Sequence, residues 1–151
     1  PGMGEDAAEA QESGKIRSEV MAYLSKLSDL DQSLNDSDPE QIYIPKALLE
    51  IDDFKGLKSK EVLLYSFLLN RLREPFDFIQ KGYDENGYTF VHFKIDDLCE
   101  LLNQSKSTVI SLKKKLQQYG LIEEVKVGNN QPNRIYLTDK LIPYMTQGER
   151  L

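Results

Sequence analysis

Residues 95–138 constrain the chain more than any other stretch. Ile95-Asp-Asp-Leu-Cys-Glu-Leu-Leu-Asn103 places Leu98, Leu101 and Leu102 at helical spacing and runs into a polar turn at Asn103-Gln104. Ser105 stands where it can cap a second helix. Along that helix Val109, Leu112, Leu116 and Tyr119 recur at i, i+3, i+7 and i+10, which fixes one inward stripe. Gly120 ends it, because a residue without Cβ accepts the left-handed conformation of a helix C-terminus. Leu121-Ile122 then begin an extended piece, Gly128-Asn-Asn-Gln-Pro-Asn-Arg134 forms a reversal, and Ile135-Tyr-Leu-Thr reads as the returning strand. Helix, tight turn, helix and two-stranded hairpin is the order of a winged helix-turn-helix, whose second helix ordinarily enters a DNA groove beside the hairpin. The expected class is mainly α with a small β-sheet (α+β): a winged helix-turn-helix with an extra N-terminal helix.

The outward side of the second helix follows from the inward one. At about 100° per residue, Ser107 and Lys114 point away from the core, Ile110 and Ser111 flank them, and Lys106 and Lys113 lie at the margin. A merely solvated face would suit Glu/Lys pairs better than an isoleucine set among serines and lysines. Groove reading uses short donors near a helix start, cations for phosphates and an apolar contact for a thymine methyl. The candidate DNA-contacting residues are therefore Ser105, Lys106, Ser107, Ile110, Ser111, Lys113, Lys114 and Lys115 on the helix, with Asn129, Asn130, Asn133 and Arg134 on the hairpin. Ser107, Ile110, Ser111 and Lys114 are assigned to base edges, and Lys106, Lys113, Lys115 and Arg134 to phosphates. The bland counterpart is a solvated lysine-rich helix with an ordinary hairpin turn. The lysines alone do not decide, since a helix C-terminus favours cations anyway.

Composition enters through charge. The chain carries 19 Lys and Arg against 25 Asp and Glu, a net −6, which looks wrong for a partner made of phosphate. The acidity is segregated. Residues 1–40 hold ten acidic against three basic residues, a balance of −7, and residues 105–134 hold six basic against two acidic, a balance of +4. Charges beyond about 8–10 Å are largely screened, so the local excess governs phosphate contact.

Along the chain, residues 1–14 are small, acidic and unpatterned, and read as a disordered or appended tail. Residues 15–40 form an acidic amphipathic helix and linker. Ile16, Val20, Tyr23, Leu27, Leu30 and Leu34 make a short a/d seam that stops at Asn35-Asp-Ser-Asp-Pro39. That seam packs either on its own chain or on a partner. Residues 41–140 are the winged-helix DNA-binding domain, and 141–151 a C-terminal tail. Within the domain, Ile42-Tyr-Ile-Pro-Lys46 is extended, Ala47–Ile51 turns helically, and Ser59 caps a long helix to Arg73 with Val62, Leu63, Tyr65, Leu68, Leu69 and Leu72 inward. Asp84-Glu-Asn-Gly87 turns a hairpin whose second strand alternates. Thr89, Val91, Phe93 and Ile95 share one face. Tyr88, Phe90, His92 and Lys94 share the other, which is either covered by the N-terminal helix or open to a partner.

Other chemistries find no support. One cysteine (Cys99) and one histidine (His92) exclude an internal disulfide and a zinc site built from these donors. The acidic pairs Asp52-Asp53, Asp96-Asp97 and Glu123-Glu124 are adjacent in sequence and do not converge, and no glycine loop cradles phosphate. No enzyme, cofactor, metal or catalytic residue is expected. No apolar run approaches the roughly 18–20 residues of a membrane span, so a cytoplasmic protein without membrane contact is expected.

At this point several segments together resemble one known family, the N-terminal domain of replication initiator protein A from plasmids of Gram-positive bacteria. They are Tyr43-Ile-Pro-Lys-Ala-Leu-Leu49, Leu63-Leu-Tyr with Leu68-Leu-Asn-Arg, Asp84-Glu-Asn-Gly87, Ser105-Lys-Ser-Thr108 and Pro132-Asn-Arg-Ile-Tyr136. The resemblance covers about residues 42–138. It implies a winged helix that binds double-stranded DNA at the repeats of a replication origin as a homodimer and recruits host replication proteins. By position, the DNA contacts would fall on the Lys106–Lys115 helix face and the Asn129–Arg134 hairpin. The acidic segment 1–40 departs from the family pattern, and a C-terminal initiator domain would lie beyond Leu151. A reading of another class stands beside this one: a winged-helix protein–protein interaction module or transcriptional regulator, with the acidic N-terminal helix as a docking or autoinhibitory element.

Overall fold

The computed structural model describes residues 41–74, 79–128 and 130–144. The acidic seam, the expected N-terminal tail, Asn129 and the residues after Tyr144 lie outside them. Among the described residues the order is α1 (Ala47–Glu50), a 3-10 turn (Asp52–Phe54), α2 (Ser59–Arg73), β1 (Lys81–Tyr83), β2 (Thr89–Val91), α3 (Ile95–Leu102), α4 (Lys106–Gln118), β3 (Ile122–Val125), β4 (Arg134–Leu137) and a 3-10 segment (Asp139–Tyr144). The class is α+β, with the helix-turn-helix and hairpin that the sequence implied. The four strands form one antiparallel sheet in the order β1-β2-β4-β3.

The long helix α2 is the organising element. It packs on α3, α4 and β2. Leu64, Tyr65 and Leu68 are fully buried, and Val109, Leu116, Val91 and Ile135 meet them from α4 and the sheet. Each buried leucine of this kind contributes about 2 kcal/mol from removed apolar surface. One expected inward residue is corrected: Leu63 is 37% exposed, while Leu64, which the stripe omitted, is 0% exposed. Leu63 lies two residues from Tyr65, about 200° around the helix, and so falls on the far side. Leu64 and Ser66 stand about 100° to either side of Tyr65, and both are buried because α2 is flanked on both sides. Lys58, not Ser59, caps α2, its N–H donating to the Glu61 carboxylate at 2.8 Å.

The extended segment before α1 is held by a side chain. Asn70 on α2 accepts from the Tyr43 N–H at 2.8 Å and donates to the Tyr43 carbonyl at 2.6 Å. One amide thereby copies the pairing of a neighbouring strand. A different device closes the C-terminal end of α2, where the buried Lys81 ammonium donates to the carbonyls of Leu72 and Glu74.

In the first hairpin, Asp84 organises the turn. Its Oδ1 accepts from the N–H groups of Asn86 and Tyr88 at 2.9 and 3.0 Å, and Gly87 supplies the positive φ of +84°. Both faces of β2 are buried. Val91 joins the core, and Phe90 sits over Gly82 on the sheet's outer side, beside Tyr136 at 5.6 Å and His92 at 5.2 Å.

Candidate nucleic-acid interface

Helix α3 opens with Asp96 and Asp97 in its first turn and ends at Asn103, which is left-handed (φ 54°, ψ 49°). Asparagine tolerates that region better than any other residue except glycine, so the chain reverses within three residues. Ser105 then caps α4: its Oγ accepts from the Thr108 N–H at 3.3 Å. The first turn of α4 carries no acidic residue, which leaves the positive end of the helix dipole without a neutralising side chain of its own. Inward, Val109, Leu112 and Leu116 are buried. Gly120 takes φ 74° as the C-terminal residue, and Leu121 drops fully into the core.

Outward, Lys106, Ser107, Ile110, Ser111 and Lys114 are all exposed, and Ile110 presents an aliphatic side chain that is 41% accessible. These five share one uninterrupted flank. Next to it the β3–β4 hairpin stands up in a four-pair register from Ile122↔Leu137 to Val125↔Arg134. Helix, hairpin and the β2–α3 junction border an open cleft of about 940 Å³, which Ile110, Lys114 and Gln117 line from α4, Lys126 and Pro132 from the hairpin, and Phe93 and Lys94 from the junction.

The structure divides the remaining sequence candidates. Lys113, assigned to phosphate, lies 3.1 Å from Glu124, with both side chains largely sheltered (12% and 17% exposed). Lys115 lies 3.9 Å from Glu61 on α2, itself buried. Both ammoniums are thus already matched to carboxylates. Arg134 stands apart from the cleft, its guanidinium stacked 4.6 Å over the Phe90 ring on the outer face of the sheet. The reason is strand parity: Ile135 and Leu137 face the core, so Arg134 and Tyr136 face the other way. Tyr136 donates to Asp84 at 3.0 Å, and burial pushes its hydroxyl up to about 12. Asn130 is exposed at the hairpin tip with φ 60°, Asn133 is half-buried, and Asn129 lies outside the described residues.

Three cations of the cleft were not singled out as contacts in the sequence. Lys126 lies just beyond β3, and Lys94 lies between β2 and α3; both are exposed. Arg71 reaches in from α2, donates to the His92 carbonyl at 2.7 Å and stacks 3.5 Å over Phe93. Only the hairpin order could have hinted at Lys126, and nothing local predicts Arg71. Among the described residues no group of three or more His, Cys, Asp or Glu could hold a metal, and no helix is long and apolar enough to cross a membrane.

Comparison with known proteins fits this geometry. The family model described as "Replication initiator protein A (RepA) N-terminus" matches residues 40–147. A "41 kDa protein" of Lactobacillus helveticus is 35% identical over 99 residues, covering 62% of this chain and 28% of that protein. The match thus spans little more than a quarter of the relative's length. Two solved structures, "N-Terminal domain of DNA binding protein" and "Structure of Rep-DNA complex", superpose with TM-scores of 0.55 at 28% and 27% identity; each match covers 70% of this chain and 78% of the other. A third, "Structure of MDR initiator", matches at TM-score 0.52 and 20% identity over 71% of this chain and 80% of that one, a likeness of fold alone.

Proposed function

The chain belongs to the family of replication initiator protein A N-termini, and on that footing we propose that it binds double-stranded DNA through a winged helix, reading the repeats of a replication origin. The observation that carries the reading is the exposed flank of α4, where Lys106, Ser107, Ile110, Ser111 and Lys114 form one surface beside an open cleft. Ser107, Ile110, Ser111 and Lys114 face base edges in a major groove. Lys106, the unneutralised start of α4, Lys126 and Lys94 take phosphates, and the hairpin tip with Asn130 follows the backbone. The two DNA-related solved structures support the reading by their fold and identity. The protein acts without catalysis of its own, in the cytoplasm, as a homodimer on repeated sites that brings host replication proteins to the origin.

The test is a salt titration of binding, by fluorescence anisotropy, to a duplex selected from a random pool. Each phosphate neutralised contributes about 0.9 to the slope of log affinity against log salt. Lys106→Gln is expected to lower that slope by about 0.9, since it removes one phosphate contact. Lys114→Ala is expected to weaken the selected duplex more than a random one. Affinity indifferent to salt would instead favour a protein-docking module.

A further inference from the structure

We propose that Glu124 is a specificity-determining residue of this surface: it withholds Lys113 from phosphate and fixes the spacing between α4 and the hairpin. The proposal rests on the DNA-binding reading above. Glu124 is one of two carboxylates lining the cleft, with Asp97, and it stands in the third of the four β3–β4 pairs, opposite Ile135, on a surface proposed to meet a polyanion. Its Oε2 lies 3.1 Å from the Lys113 ammonium and 3.2 Å from the Asn133 amide nitrogen. The Asn133 carbonyl in turn lies 3.0 Å from Nδ1 of His92, just beyond β2. One carboxylate therefore joins α4, β3, the returning arm of the hairpin and the end of β2.

Two consequences follow. A sheltered pair is screened far less than an exposed one, so the tie holds the hairpin at a set distance from the reading helix at ordinary ionic strength. The second consequence concerns phosphate. A cation already matched by a carboxylate releases no counterion when DNA arrives, so Lys113 adds nothing to sequence-independent attraction. Contacts from Ser107, Ile110 and Ser111 to base edges are untouched. Removing one unit of indiscriminate attraction while keeping the base contacts raises the ratio of specific to non-specific binding.

Glu124→Gln, which preserves shape and hydrogen-bonding capacity but frees Lys113, tests this. Anisotropy titrations would compare the selected duplex with a random duplex of equal length across salt. The expected result is a slope steeper by up to about 0.9, random-duplex binding tighter by roughly threefold at low salt, and a reduced specificity ratio. The double variant Lys113→Gln with Glu124→Gln is expected to return the slope to the wild-type value. A single variant with wild-type slope and ratio overturns the proposal. So does a double variant shallower than wild type by about 0.9, which would place Lys113 on a phosphate after all. If Glu124→Gln alone does not fold, the double variant decides, with an unchanged slope expected and a loss of about 0.9 refuting. Failure of the DNA reading itself is separate: the wild-type protein would then show no salt-dependent duplex binding.

Discussion

Asn70 carries more of the architecture than its half-buried place on α2 suggests. Its amide makes three hydrogen bonds: with the N–H and C=O of Tyr43, and with the Ser66 carbonyl at 2.7 Å. Asn70→Ala removes all three and leaves two backbone groups of a partly buried segment without their partner. A net hydrogen bond is worth about 1 kcal/mol, and leaving a buried group unmade costs more. Partial access of water pulls the other way, so the expected loss is about 2–3 kcal/mol, and for a domain of this size the thermal midpoint should drop by roughly 10 °C. Urea unfolding followed by circular dichroism gives the number directly, with the slope against denaturant expected to stay unchanged. Asn70→Asp should fare little better, because it keeps the acceptor for the Tyr43 N–H but sets a carboxylate against two carbonyls. A loss below about 0.5 kcal/mol for Asn70→Ala, or wild-type stability for Asn70→Asp, would refute the view that this amide anchors the segment.

Two further outcomes are expected. The Tyr65 hydroxyl is buried without a hydrogen-bond partner, and burial raises its pKa. Tyr65→Phe should therefore stabilise the fold by about 1 kcal/mol in urea unfolding, and a loss of that size would mean the hydroxyl has a partner after all. Tyr136, raised from 10.0 to about 12, is favoured in its neutral form by the folded state. Its contribution is complete below pH 10 and is lost as the pH rises toward 12. Tyr136→Phe should flatten the fall in urea midpoint across that window, and an unchanged profile would assign the alkaline loss to other tyrosines.

What the sequence yields and what it withholds divides along the range of the forces involved. The Ser105 cap, the inward stripe of Val109, Leu112 and Leu116, and the left-handed Gly87 and Gly120 are local matters of spacing and backbone sterics, and they read directly. The exposed flank of α4 followed from that stripe by geometry alone. Pairings across elements did not. Lys113 meets an acid eleven positions on, and Lys115 one on another helix, because the folded chain brings β3 and α2 alongside α4. Asn70 and Tyr43 are 27 positions apart. Arg134 is a different case. Its parity with the inward Ile135 was available in the strand pattern, whereas its cation–π partner on β2 was not.

The hairpin's construction separates two duties that one polypeptide must serve. Four registered pairs and the Glu124 carboxylate in the third of them hold the ladder against the helix, while Gly128 beyond it takes φ +151°, which favours glycine, with nothing packed against it. Lengthening a surface loop costs little free energy, because closure entropy grows only logarithmically. The reach of this arm can therefore change without disturbing the helix packed beside it.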